Sequence, residues 1–326
     1  MNADKRPTFR TADQTANRFV SDFVPAYVGR GLALEAQGHL EVALSEFEKA
    51  LKLPGYVDRA VALPAQETAR THIVALEKQM AQVQRPPLPD QGVKVALVVG
   101  MSKYKFVPAL PNPDRDAEGV AETLKAVGFN SVTLIRDAER SAFVKALREF
   151  QDNADLADWA LVYFAGHGIE ISGRNYLIPI DARLENERDV ADEAVSLDRV
   201  LDQISNAHKL QLVVLDACRN NPFRATMKRS DGTRGVDQQR GLARIEPNTP
   251  NELVVYAAKD GEWAVDGESG GHSPFTAALI ARLKEPRVEI NEVFRNVARD
   301  VWEATKHQQQ PFVYGFLLQH FYFNVE

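Results

Sequence analysis

The sequence predicts an α/β fold: an open, mostly parallel six-stranded sheet flanked by helices, preceded by a small all-α region. Three observations carry this. From residue 93 onward, short β-branched runs alternate with helical patterns, as strands joined by crossover helices do. The run Lys94–Val99 is apolar throughout after its first residue, as a strand covered on both faces must be. Between this pattern and a purely helical one lies Gln84-Arg-Pro-Pro-Leu-Pro-Asp-Gln-Gly92, whose three prolines disfavour helix and read as a semi-rigid linker. The 326 residues thus divide into a helical region (1–83), a linker (84–92) and an α/β domain (93–326).

In the helical region the spacing predicts helices over Pro25–Gln37 and Leu40–Leu53, with Leu40, Ala43, Leu44, Phe47, Ala50 and Leu51 on one face. Tyr27, Gly31, Gly38, Ala43, Phe47 and Ala50 match the spacing of a tetratricopeptide repeat, with Pro54 closing the second helix one residue early. Arg30 and Leu34 stand where that repeat more often has an aliphatic residue and a tyrosine. A third helix, Pro64–Gln82, carries Ile73, Leu76 and Met80 on one face. One repeat cannot bury both of its sides. The region is therefore either an amphipathic cap on the second domain or a docking module for a protein partner. In the α/β domain the strands fall at Lys94–Val99, Ser131–Ile135, Trp159–Phe164, Leu210–Leu215, Leu253–Ala257 and Phe312–Phe323. The helices between them fall near Asp114–Val127, Arg140–Gln151, Ser196–Asn206, Ser273–Leu283 and Ile290–Thr305. In such sheets ligands collect outside the carboxyl ends of the strands.

Composition excludes several classes. A net charge of −6 does not suit a nucleic-acid binder that works through a global basic field. No apolar run approaches the ~18 residues a membrane span needs, and the first residues lack an apolar leader, so the chain reads as cytosolic. No HExxH, Walker-type or GxGxxG pattern is present, and no cofactor is expected. The single cysteine, Cys218, cannot close an intrachain disulfide or build a multi-cysteine zinc site. It is either a small buried hydrophobe or a reactive group.

Two strand ends favour the second. Trp159–Phe164 runs into Ala165-Gly166-His167-Gly168, and Leu210–Leu215 runs into Asp216-Ala217-Cys218-Arg219-Asn220. A histidine and the only cysteine, 51 residues apart, thus leave the same edge of the sheet. An imidazole there can take the thiol proton and give the attacking thiolate. The glycines beside His167 let a substrate backbone approach. They also leave the Gly168 N–H to join the Cys218 N–H as an oxyanion hole.

These residues carry a resemblance. Residues 93–326 resemble the caspase-like cysteine peptidases of the group that holds metacaspases, paracaspases and bacterial orthocaspases. The matching segments are Lys94–Gly100, Leu110-Pro-Asn-Pro-Asp-Arg-Asp-Ala117, Tyr163-Phe-Ala-Gly-His-Gly168, Tyr176-Leu-Ile-Pro-Ile-Asp-Ala182, Leu215-Asp-Ala-Cys-Arg-Asn-Asn-Pro-Phe223 and Gly271-His-Ser-Pro-Phe-Thr-Ala-Ala-Leu279. The resemblance implies a caspase fold, a Cys218–His167 dyad and peptide-bond hydrolysis through an acyl-enzyme. Animal caspases, which cut after aspartate, carry a glutamine where this chain has Asp216. Metacaspases and paracaspases carry an aspartate there and cut after arginine or lysine. Their Asp-Ala motif matches Asp116 and Ala117, and an approximate alignment adds Asp266. Three carboxylates around one pocket suit a guanidinium or ammonium, so the expected substrates are proteins or peptides with basic residues. Metacaspases often need calcium, but the chain has no acidic insertion after His167. Its acidic run Glu185–Glu193 reads as a solvated loop and helix start, so no metal is expected. The basic loop 224–250 is a candidate self-cleavage site. The rival reading is a catalytically silent caspase-like scaffold acting through its helical region. His39, His72, His208, His272, His307 and His320 read as structural or surface groups.

Overall fold

Small residues decide how the helices at the start of the chain pack. The structure is a computed structural model that describes residues 23–53, 59–83, 88, 90–218, 223, 227–228, 242, 249–259, 264–268 and 270–326. In α1 (Val24–Ala36), a Cβ on Gly31 would lie 2.6 Å from the ring of Phe47 in α2 (Leu40–Lys52), so the two helices meet closely only because position 31 has no side chain. Ala43, Phe47 and Ala50 of α2 are fully buried and share a core with Val24, Val28, Ala62, Ala69 and Leu76. The last three belong to α3 (Arg59–Val83), which begins before Pro64 rather than at it. The proline lies in the second turn, where it costs one backbone hydrogen bond near the helix start and does not end the helix. Gln66 Nε2 donates to the carbonyls of Ala50 and Leu53, tying α3 to the end of α2. Pro54 lies outside the described residues.

The chain divides into two compact units between residues 87 and 88. Gln91 and Gly92, which the sequence puts in the linker, are held by the second unit. Tyr322 N–H donates to Gln91 Oε1 at 2.9 Å, and a Cβ on Gly92 would strike the Asp158 carboxylate.

The second unit alternates β1 (Lys94–Gly100), α4 (Pro113–Ala126), β2 (Ser131–Arg136), α5 (Arg140–Ala154) and β3 (Trp159–Ile171). A short arm follows: β4 (Arg174–Leu177), α6 (Val190–Glu193) and β5 (Val195–Ser196). Then come α7 (Leu197–Ile204), β6 (Leu210–Cys218), β7 (Glu252–Tyr256), α8 (Pro274–Leu283), α9 (Ile290–Ala304) and β8 (Phe312–Gly315). The main strand order is β2-β1-β3-β6-β7-β8, parallel except for β8, with β4 and β5 adding a small antiparallel extension on β3.

Alternation builds a core on each face. In β3, Ala160, Val162 and Phe164 pack with Phe143 and Leu147 of α5 and Val200 of α7. Trp159, Leu161, Tyr163 and Ala165 pack on the other face with Val120 of α4, Phe275 and Leu279 of α8 and Val297 of α9. Each of the valines, leucines and phenylalanines among them contributes ~1.5–3 kcal/mol on burial.

Three strands depart from the sequence reading, and one of them, β6, runs past Leu215 to Cys218. β3 does not stop at Phe164 but runs on through His167 to Ile171, because β6 continues to pair it on one side and β4 takes up the other. The last strand is four residues, not twelve. Gly315 ends it at φ 115°, where a Cβ would meet the Glu252 carbonyl. The remaining residues turn so that Phe321 and Phe323 meet Trp159 edge-on, with ring centroids 5.3 and 5.8 Å away.

Candidate active site

The parallel ladder of β3 and β6 runs from Trp159 opposite Leu210 to His167 opposite Cys218, so the two residues sit side by side at the last register position. Cys218 is placed by its backbone. His167 is 5% exposed and held from three directions. Its backbone N–H donates to the Tyr104 hydroxyl at 2.7 Å, and the tyrosine ring lies against the imidazole with centroids 4.5 Å apart. Its Nε2 lies 3.2 Å from the carbonyl of Pro108. A carbonyl only accepts, so the proton sits on Nε2 and the lone pair on Nδ1. No described group bonds Nδ1. Burial holds this imidazole below its usual range, with Pro108 pulling weakly the other way, so it is neutral near pH 7 with its basic nitrogen open.

The neighbouring glycines have separate reasons. Gly166 has φ 151°, and a Cβ there would lie 2.6 Å from the Tyr104 hydroxyl that holds His167. Ile178 N–H donates to the His167 carbonyl, which makes Gly168 and Leu177 a non-hydrogen-bonded pair. The Gly168 N–H is therefore not used by β4.

The three aspartates come together beside this edge. Asp216 lies two residues before Cys218 on β6, opposite Ala165, and is buried. Its Oδ2 accepts hydrogen bonds from the Ser273 hydroxyl and, at 2.7 Å, from Thr276 Oγ1. Asp116 sits in the first turn of α4 and is 1% exposed. Its Oδ1 lies 2.8 Å from His272 Nδ1 and takes the Ser273 N–H at 3.2 Å. Ser273 thus touches both carboxylates while its hydroxyl oxygen caps α8 by accepting Thr276 N–H. Asp266 lies in the loop before α8, and its Oδ2 is buried with no partner among the described residues. Asn112, at the N-terminus of α4, pins this loop: its Nδ2 donates to the carbonyls of Asp266 and Glu268, and its Oδ1 accepts from Gly270.

Burial raises the pKa values of all three acids, and crowding adds to it at Asp116 and Asp266. Burial, together with the charges of Asp216 and Asp266, pushes Asp116 up to about 8. Burial and Asp216 push Asp266 to about 6. Burial pushes Asp216 upward, against the hydroxyls of Ser273, Thr276 and Tyr163. Burial and Arg115 hold His272 below its usual range, so it shares a single proton with Asp116 rather than forming a full ion pair. Among the described residues, no lysine or arginine forms an ion pair with any of the three aspartates.

His272, among the histidines read as structural or surface groups, is placed directly on the pocket. It is half-buried on Asp116, and the absence of a side chain at Gly119 makes the room, since a Cβ there would lie 2.9 Å from His272 Cε1. Tyr104, Pro108, Asn112, Tyr163, Ser273 and Thr276 also escape a reading of strand ends. Only Ser273 carries a local signal, as a serine before Pro274 at a helix start. The acidic run Glu185–Glu193 is tied up locally: Glu193 accepts the N–H groups of Arg183 and Leu184, and Asp189 accepts that of Asn186. Among the described residues no group of three or more His, Cys, Asp or Glu is placed to hold a metal ion. No described helix is long and apolar enough to cross a membrane. The candidate self-cleavage loop 224–250 lies outside the described residues except for 227–228, 242 and 249–250.

This arrangement has known counterparts. Residues 93–322 match the family model of the caspase domain. The chain is 30% identical over 225 residues to human mucosa-associated lymphoid tissue lymphoma translocation protein 1, covering 66% of this chain and 25% of that protein. The mouse homolog matches at the same identity, with 24% of its length covered. The chain thus spans about a quarter of the length of these relatives. A crystal structure of caspase-1 from Spodoptera frugiperda superposes with a TM-score of 0.53 at 18% identity, covering 74% of this chain and 97% of that one. The second unit has the caspase fold, and the chain belongs to the caspase-domain family of cysteine peptidases.

Proposed function

We propose that the chain is an endopeptidase that cuts after arginine or lysine through a Cys218–His167 dyad. His167 Nδ1 takes the thiol proton of Cys218, and the thiolate attacks the scissile carbonyl carbon. The N–H groups of Gly168 and Cys218 face the oxyanion that forms. His167 returns the proton to the leaving amine. Water then attacks the acyl-enzyme with His167 as base, releasing the acid product and the thiol. Nε2–H···O bonding to Pro108 supports this role, because it fixes the tautomer that leaves Nδ1 basic.

The observation that carries the specificity is the cluster of Asp116, Asp216 and Asp266 beside the dyad, paired with no described lysine or arginine. Like-charged carboxylates kept buried together are costly unless a cation joins them. An aspartate side chain entering there would meet three more acids. Fluorogenic peptides ending in Arg or Lys are expected to turn over at least ~10³-fold faster than their Asp counterparts. Equal rates would overturn the specificity.

The helical unit supports a second, smaller proposal, that α1 and α2 form a tetratricopeptide-like pair for docking a protein partner. Its support is the close approach of Gly31 to Phe47 and the burial of Ala43 and Ala50, positions where that repeat uses small residues.

A further inference from the structure

Three hydroxyl groups surround Asp216, those of Ser273, Thr276 and Tyr163. Asp216 Oδ2 contacts both Ser273 Oγ and Thr276 Oγ1, and Thr276 Oγ1 also contacts the hydroxyl of Tyr163 at 2.5 Å. A hydroxyl has one proton to give. Ser273 Oγ already accepts Thr276 N–H, so its own proton goes to Asp216. If Thr276 gives its proton to Asp216, Tyr163 gives its proton to Thr276, and every hydroxyl proton has an acceptor. The Tyr163 hydroxyl also bonds the Asp216 carboxyl directly, so its proton reaches Asp216 with or without Thr276 between them. Asp216 thus ends the network as an acceptor.

We propose that Tyr163 and Thr276 are positioning residues of the specificity pocket: their hydroxyl relay makes Asp216 the carboxylate that meets the charge of the incoming basic side chain. This rests on the basic-residue reading above and adds a division of labour within it. Asp116 and Asp266 have no such relay; Asp116 shares a proton with His272, and Asp266 Oδ2 has no described partner. The charged and titratable groups facing Asp216 are Tyr163 on β3, Asp116 on α4 with His272 and Arg115 beyond it, and Asp266 in the loop before α8. His167 lies two register positions along from Ala165, the partner of Asp216. None of these supplies a paired positive charge, so the hydroxyls are what favours the anion before substrate arrives.

The test compares wild type with Thr276→Val, Thr276→Ser and Tyr163→Phe. One readout is kcat and KM for an arginine peptide between pH 6 and 9. The other is the ¹³C titration of the Asp216 carboxyl in a Cys218→Ala background, assigned through Asp216→Asn. Thr276→Val is expected to raise KM about tenfold at pH 7 with kcat little changed, the size of one lost hydrogen bond to a charged group. The defect should shrink toward pH 9, because the carboxyl then ionises without help. The Asp216 midpoint should rise, and Thr276→Ser should restore both quantities. Tyr163→Phe should move both the same way by less. An unmoved Asp216 midpoint in Thr276→Val, or Thr276→Ser as impaired as Thr276→Val, would overturn the proposal. If Thr276→Val fails to fold, an unmoved midpoint in Tyr163→Phe decides it instead. The titration needs no substrate, so an enzyme that ignores arginine would sink the specificity reading alone.

Discussion

His167 on β3 and Asp216 on β6 lie on neighbouring strands, yet their surroundings treat their polar atoms in opposite ways. At His167 each partner makes one contact: Tyr104 holds the backbone, Pro108 holds Nε2, and Nδ1 is left open. Around Asp216 the hydroxyls of Ser273 and Thr276 meet a single oxygen, Oδ2, and Tyr163 bonds Thr276 behind it. A catalytic base must keep an unused lone pair, and burial that lowers its proton affinity keeps that pair free near neutral pH. A recognition group needs its charge fixed before the ligand arrives, and donors saturate it to that end. One sheet edge thus sets an open valence beside a carboxyl whose burial the surrounding hydroxyls oppose.

The bluntest way to break this comparison is to remove the open valence. His167→Ala or Cys218→Ala is expected to lower kcat by more than ~10³-fold with unchanged secondary structure by circular dichroism. Residual activity above a tenth of wild type in either variant would mean that the chemistry is elsewhere. Altering the pocket should act on binding instead. Asp216→Asn is expected to lower kcat/KM for arginine peptides about a hundredfold, mostly through KM, and Asp116→Asn about tenfold. The wild-type KM should itself fall as pH rises from 6 to 8, since Asp266 and then Asp116 lose their protons over that window and the pocket grows more negative. A KM flat across that range, or equal losses in the two variants, would remove the ranking.

Gly166→Ala probes the boundary between the two regions. The added Cβ meets the Tyr104 hydroxyl at 2.6 Å and disfavours φ 151°, so Tyr104 must shift and release the His167 backbone. The expected result is a loss of about tenfold or more in kcat with KM for arginine peptides nearly unchanged, because no aspartate touches Gly166. A purely KM effect would place Gly166 with the pocket rather than the base.

Much of this was legible in the sequence, for reasons that also explain what was not. Uniform burial of β1, β3 and β6 writes itself as apolar runs, and the two runs end in His167 and Cys218, so the ladder that joins them follows from strand order. Asp216 is legible for the same reason, being fixed by its distance from Cys218 along one strand. Pro108, Asn112 and Tyr104 come from a loop whose path depends on backbone carbonyls and buried amides, which leave no period to read. The strand through His167 was missed because glycines normally argue against strand. Here they are required by Tyr104 and by the close approach of Leu242 and Ala217 to Gly168. The C-terminal run was read too long because its phenylalanines alternate like a strand, while they serve to cover Trp159.

The smallest effect separates recognition from stability. Asp116 is buried, and its carboxyl is pushed up to about 8 from an ordinary value of 3.8. The folded state therefore binds more protons than the unfolded state between those values, so stability falls as pH rises through the window and levels off above it. An asparagine cannot ionise, but it still accepts from Ser273 N–H and can bond His272. Asp116→Asn should thus match or trail wild type in Tm near pH 4 and exceed it increasingly up to pH 8, by on the order of 10 °C for a unit of this size. The gain should plateau beyond pH 8 while turnover of arginine peptides stays impaired. Thermal unfolding of both proteins across pH 4–9 decides it: parallel Tm curves would mean that Asp116 carries no excess proton in the folded state. The pocket's acids would then be no more strained than a surface aspartate, and the contrast with the open, undercharged His167 would rest on Asp216 alone.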